Sequence, residues 1–169
     1  MPQEVKPSQS AEPKLYDPRV IALVVSEYNE NITDKLCKAA VQTLIANAIK
    51  NEDIQILRVP GAWELTYGTQ LAIRQLTCRG VIALGAVIKG ETTHDQHLNR
   101  AVSMGLMQLS LQYNKPVALG LLTVNTLEQA IQRSGGNAGN KGEEAANALL
   151  ACLKLASAMK VVLCESADA

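Results

Sequence analysis

Gly80-Val81-Ile82-Ala83-Leu84-Gly85-Ala86-Val87-Ile88, running on into Lys89-Gly90-Glu91-Thr92-Thr93-His94, is the stretch that decides the fold. Its first part is apolar throughout and shows no alternation with polar residues. A strand with one wet face would alternate; a continuous Val/Ile/Leu/Ala run belongs to a strand covered on both faces, as in a parallel sheet. The run is also far short of the ~20 apolar residues that span a bilayer. After Ile88 the chain turns polar and then resumes a helical pattern, so the segment reads as a strand, a loop and the start of a helix.

Working outward, Val20 to Val25 and Pro116 to Thr123 are two more apolar runs of the same kind. Ile54 to Val59 reads as a fourth strand, less buried because it carries Gln55 and Arg58. Helical stripes lie between the strands. Leu36, Ala40, Val41, Leu44 and Ala48 form one, with Thr33 as its expected N-cap. Leu65, Thr69, Ala72 and Leu76 form the next, and Leu98, Val102, Gly105, Leu106 and Leu109 a third. Thr126-Leu127-Glu128-Gln129 has the spacing of a capping box and predicts a short helix. Ala145, Ala146, Leu149, Leu150 and Leu153 carry a long helix after Gly142, while Lys160 to Cys164 reads equally as a last strand or a tail. Alternating strands and helices give an α/β fold of three layers, α/β/α, with a mainly parallel four-stranded sheet, helices on both faces and right-handed crossovers.

The chain has 169 residues, enough for one domain with an ordinary core. Met1 to Pro18 is polar and holds four prolines, so residues 1–17 are expected to be a mobile arm and 18–169 a single α/β domain. Lys plus Arg and Asp plus Glu balance at 16 each, which removes the electrostatic footprint of a nucleic-acid binder. No membrane-spanning or signal-peptide segment is expected. The four cysteines, Cys37, Cys78, Cys152 and Cys164, form no C-x-x-C pair, and the expected compartment is the cytoplasm.

In an open parallel sheet, ligands bind beyond the carboxyl ends of the strands. Four polar segments fall there. Gly90 to His94 leads into a helix, whose first N–H groups and positive dipole end suit a phosphate, with His94 able to move protons near neutral pH. A merely capped helix start with a surface His is the plain alternative. His94 and His97 share a helix side, but no third residue completes a metal site, so no metal is expected. Arg133-Ser134-Gly135-Gly136-Asn137-Ala138-Gly139-Asn140-Lys141-Gly142 sets glycines and asparagines between two cations suited to anions, or is a flexible loop with solvated charges. It is not a Walker A loop, since Lys141 is followed by Gly142. Pro60-Gly61-Ala62-Trp63-Glu64 puts the only Trp and a carboxylate at a strand end, against the alternative of Trp63 in the core. Tyr28-Asn29 offers a flat ring for stacking or for core packing.

In this order, these residues resemble the lumazine synthase family. The resemblance runs from about Val20 to Leu153. It rests on Tyr28-Asn29 with Ile32-Thr33, Val59 to Glu64, Gly85 with Val87 to His94, Leu122-Thr123, Glu128 to Ile131 with Arg133, and Ala138 to Gly142 with Glu144 to Ala146. The chain departs from the usual pattern in several places. Tyr28 stands where Phe or Trp is common, Lys89 where Arg is, Leu119 where Phe is, and Asp95-Gln96-His97 replaces an aromatic-acidic-aromatic run.

The resemblance implies a flavodoxin-like fold and a transferase that needs no cofactor. It would condense 5-amino-6-(D-ribitylamino)uracil with 3,4-dihydroxy-2-butanone 4-phosphate. The products would be 6,7-dimethyl-8-ribityllumazine, phosphate and water, the penultimate step of riboflavin formation. Tyr28, Ala62, Trp63, Glu64, Val87, Ile88, Leu119 and Lys141 would then surround the pyrimidine and ribityl chain. Glu91, Thr92, Thr93 and Arg133 would bind phosphate, and His94 would shuttle protons. It further implies a site shared between neighbouring subunits of a pentamer, assembly into an icosahedral shell, and association with riboflavin synthase. Two other readings stay open: a shell-forming scaffold with little activity, and a binding module for flavin or a related heterocycle.

Overall fold

The computed structural model describes residues 20–76 and 78–165, with side chains through 159. The expected arm over 1–17 lies outside the described residues. The elements follow in the order β1 (Ile21–Ser26), α1 (Glu30–Ala46), β2 (Ile54–Val59), α2 (Leu65–Gln75), β3 (Gly80–Ile88), α3 (His94–Tyr113), β4 (Val117–Val124) and α4 (Leu127–Gln132). The hairpin β5 (Ser134–Gly136) and β6 (Gly139–Asn140) then leads into α5 (Lys141–Glu165). The four long strands make one fully parallel sheet in the order β2-β1-β3-β4.

The unalternating apolar runs have the structural cause inferred from them. Along β1, Ile21, Leu23 and Val25 join the core packed by α1 and α5, while Ala22 and Val24 join the core packed by α2 and α3. In β3, Ile82, Leu84 and Ala86 face the first core, and Val81, Ala83 and Val87 the second. Both faces of the central pair are dry, so the period of two still operates but separates two apolar environments. At the β2 edge only Val59 is buried, as Gln55 and Arg58 foretold. There Arg58 bonds Asp34 of α1 at 2.7 Å.

Three helix signals resolve differently from their sequence reading. Thr33 does not cap α1: it is buried in the first turn, and the N-cap is Asn29, held in the left-handed region at φ 62°. Asn tolerates that region better than most residues, and its side-chain amide donates to the Ala86 carbonyl at 2.9 Å, fixing the turn. Lys160 to Cys164 is neither strand nor tail, because α5 continues through it to Glu165. Thr126 does cap α4, accepting from the Gln129 amide N–H, but Gln129 Oε1 accepts from the Asn125 amide rather than from Thr126.

The order β2-β1-β3-β4 places the topological switch between β1 and β3, since the chain first winds outward from β1 to β2 and then returns to β3 and outward to β4. The loops leaving β1 and β3 therefore diverge, and the crevice between them is where such sheets bind ligands. Both loops carry polar segments singled out above.

Candidate active site

Backbone hydrogen bonds tie the strand ends into one ledge. The Glu27 N–H donates to the Val59 carbonyl at 2.8 Å and the Tyr28 N–H to the Pro60 carbonyl at 3.0 Å, so the Tyr28 turn lies along the Pro60–Glu64 turn. Asn29 bridges to β3 at Ala86, and the Lys89 N–H donates to the Val124 carbonyl at 2.8 Å, joining β3 to β4. These bonds satisfy backbone groups that the end of a sheet would leave unpaired.

On that ledge the two aromatics point outward. Tyr28 is 72% exposed and Trp63 62%, so neither serves the core. Ala62 and Val87 are buried, while Ile88 and Glu64 are half-buried. Glu64 occupies the N-cap position of α2 without a side-chain capping bond, which leaves its carboxylate available. Trp63 and Glu64 open a cleft of about 540 Å³ between α2 and α3, walled by Tyr67, Gln70, Ala101 and Val102.

The loop Glu91–Thr93 is exposed at the start of α3. Thr93 holds the N-cap position with no side-chain capping bond, so the threonines do not close the helix start as a capped end would. The Thr92 hydroxyl instead meets Nδ1 of His94 at 2.6 Å. A 20-residue helix behind an open first turn presents N–H donors and the positive end of its dipole to the loop. This geometry can hold an oxyanion beside an imidazole ring with donor and acceptor nitrogens.

The cationic residues sit elsewhere on the chain. Arg133 ends α4, and its carbonyl accepts from the Lys141 N–H at 2.9 Å, so the hairpin β5–β6 closes with Arg133 and Lys141 at its neck. Gly139 takes φ 82° in the tight turn. Gly142 packs so closely that an added methyl would strike the Leu36 carbonyl of α1, which fixes where α5 begins. The segment is thus an ordered hairpin, not a flexible loop. It borders a second cleft of about 470 Å³ with Thr123, Asn125, Glu128 and Gln129. Lys141 is paired with Glu144 at 3.0 Å; Arg133 forms no ion pair among the described residues.

The structure therefore brings Tyr28, Ala62, Trp63, Glu64, Val87, Ile88 and the Glu91–His94 loop to one ledge, but not the rest. Leu119 lies mid-strand in register with Ala83, 43% exposed at the open sheet edge. Arg133 and Lys141 line the second cleft, which shares no residue with the first. Sequence reading marked Asp95 only as part of the unusual Asp95-Gln96-His97 turn; the structure buries it with one carboxylate oxygen unpartnered among the described residues. Its signal was positional: 95, 102, 106 and 109 lie on one buried stripe of α3. Sequence reading passed over Asn125 and Gln132, whose place beside Arg133 depends on the hairpin's fold.

A parallel α/β sheet in flavodoxin-like order, carrying an aromatic-lined ledge and an anion-suited helix start at its switch point, defines a three-layer α/β/α protein that handles small molecules. The family profile of 6,7-dimethyl-8-ribityllumazine synthase matches residues 19–157, and the chain belongs to that family. Among proteins bearing that name, one from Rhodopirellula baltica is 51% identical over 140 residues, covering 83% of this chain and 90% of that protein. One from Parabacteroides distasonis is 43% identical, covering 75% and 79%, and one from Cytophaga hutchinsonii 44%, covering 76% and 80%.

Proposed function

We propose that this chain is a transferase that condenses 5-amino-6-(D-ribitylamino)uracil with 3,4-dihydroxy-2-butanone 4-phosphate. The products are 6,7-dimethyl-8-ribityllumazine, phosphate and water. The observation that carries the reading, beyond family membership, is the exposed ledge where His94, tied to Thr92, stands beside the open start of α3. Tyr28 stacks on the pyrimidine, whose other contacts are Ala62, Val87 and Ile88, while Trp63 and Glu64 hold the ribityl hydroxyls. Glu91, Thr92 and Thr93 receive the phosphate of the second substrate. His94 accepts and returns protons as the imine forms and phosphate is eliminated. General acid–base help of this kind contributes about 10²–10⁴-fold, and holding two substrates in register supplies much of the remainder.

The site is completed by a second copy of the chain, which brings Leu119, Arg133 and Lys141 to the ledge of the first. Two features support this. Arg133 and Lys141 line a cleft to which no ledge residue contributes, and Tyr67, Met104, Met107 and Leu111 leave an apolar face on α2 and α3 uncovered. A pentamer is the assembly proposed, with an icosahedral shell of pentamers and association with riboflavin synthase as its larger forms. Cys37, Cys78 and Cys152 are free thiols, which fits the cytoplasm.

The test is direct. Purified protein mixed with both substrates should form the lumazine, followed by absorbance, and only when both are present. No product would overturn the enzyme reading. Binding of the lumazine or a flavin without turnover would favour the heterocycle-binding alternative, for which the exposed Tyr28 and Trp63 are suited. Sedimentation velocity separates pentamer from shell.

A further inference from the structure

His94 has one ring nitrogen engaged by the protein. Its Nδ1 lies 2.6 Å from the Thr92 hydroxyl, and the ring folds back over Gly90, where a Cβ would come to 3.6 Å from Cε1. Nε2 is therefore the nitrogen free to meet a substrate. A threonine hydroxyl has one proton to donate and lone pairs with which to accept, whereas each nitrogen of a neutral imidazole is either donor or acceptor. The bond consequently exists in two forms. When Thr92 donates to Nδ1, the ring carries its proton on Nε2 and is an acid at its free end. When Thr92 accepts from Nδ1–H, Nε2 presents a lone pair and is a base. The bond made by one nitrogen sets the state of the other.

What decides between the forms is whether the Thr92 proton has a better acceptor. Among the described residues its hydroxyl meets no other partner than His94. An oxyanion seated at the start of α3 would provide one, because a hydroxyl bonds a charged oxygen more strongly than a neutral acceptor. The hydroxyl would then turn its lone pair to the ring.

We propose that Thr92 is a positioning residue that couples oxyanion occupancy of the Glu91–Thr93 loop to the tautomer of His94. With the loop empty, His94 carries Nε2–H. With an oxyanion bound, it carries Nδ1–H and Nε2 becomes the base. The change releases the Nε2 proton to water and takes one from water at Nδ1, so net charge is unaltered. In the reaction proposed above, the phosphorylated substrate thereby switches on the base that acts on it. Departure of phosphate restores the acid form. The inference rests on the reading of this loop as the phosphate site, and the experiment separates the two.

The chain has two histidines, His94 and His97, so ring signals are assigned with a single His97→Gln variant. Magic-angle-spinning spectra of the uniformly ¹³C,¹⁵N-labelled full chain, which tolerate an assembly of any size, read both the protonated ring nitrogen and the amides of residues 91–94. Inorganic phosphate is the probe, at a pH where the same spectra show a neutral ring. The expected result is a reversal of the His94 populations, from mainly Nε2–H to mainly Nδ1–H, on saturation with phosphate. Thr92→Ser should keep the reversal, and Thr92→Val should abolish it while the amide signals of residues 91–94 still respond to phosphate. Phosphate-dependent amide shifts with an unchanged tautomer in the unmutated chain would overturn the coupling alone, as would a reversal that survives in Thr92→Val. No response of these amides at all would overturn the phosphate loop and the coupling together.

Discussion

The ledge at the ends of β1, β2 and β3 and the hairpin between α4 and α5 are both ordered by backbone hydrogen bonds, yet they hold complementary chemistry. The ledge carries the exposed rings, the buried apolar floor and the His94–Thr92 pair. The hairpin neck carries Arg133 and Lys141, closed by the Arg133–Lys141 backbone bond. Strand geometry explains the division. The ledge grows from the buried centre of the sheet, where desolvated side chains make a platform, while the hairpin is seated on α1, with the Asn140 amide on the Lys35 carbonyl and Gly142 against Leu36.

The largest expected effect breaks the ledge. His94→Ala should lower kcat by about 10²–10⁴-fold, with little change in melting temperature because the ring is exposed; steady-state kinetics and a thermal melt check both. Next, Arg133→Ala should raise KM for the phosphorylated substrate by a factor corresponding to about 1.5–3 kcal/mol, the usual weight of a hydrogen bond to a charged group. Unchanged KM would remove Arg133 from the phosphate site. Combining the two variants sharpens the comparison further. If ledge and hairpin of one site come from different copies, co-refolding the two inactive variants regains activity. At equal mixing roughly a quarter of sites receive an intact ledge and an intact hairpin from neighbouring copies. If each chain builds its own site, mixing restores nothing.

The ledge was legible in the sequence and the hairpin only partly so. Gly80 to Ile88 and Ile54 to Val59 coincide with β3 and β2 because burial on two faces, or on one, leaves an unambiguous record in side-chain type. The rule that ligands gather at carboxyl ends then located Tyr28, Trp63 and His94 without any coordinates. The start of α1 was misplaced by four residues, because Asn29 in the left-handed region and its bond to Ala86 are tertiary facts that a Thr at position 33 disguises. The hairpin looked like a loop for a related reason. Its order comes from Gly142 against Leu36 and from the Arg133–Lys141 bond, neither of which has a local period. That Leu119, Arg133 and Lys141 stand apart from the ledge is a matter of three-dimensional separation, invisible in the order of residues.

The smallest effect loosens the hairpin without touching its cations. Arg133 is the C-terminal cap of α4, a helix of only 6 residues whose N-terminus is held by the Thr126 hydroxyl accepting from the Gln129 N–H at 3.2 Å. A helix this short has little intrinsic stability, so the cap is a large share of what keeps it formed. Thr126→Ala should cost about 0.5–2 kcal/mol, the range for loss of such a cap. Much of that loss should appear as local fraying of α4, since the second anchor, Asn125 N–H to Gln129 Oε1, depends on the same turn. Hydrogen exchange should therefore quicken at residues 129–133 while β3 keeps its protection. If Arg133 acts on phosphate from its place at the helix end, KM for the phosphorylated substrate should rise by less than in Arg133→Ala while kcat is held. An equal loss of protection in β3 would mean that ledge and hairpin unfold as one unit, and that the contrast between them is one of chemistry alone.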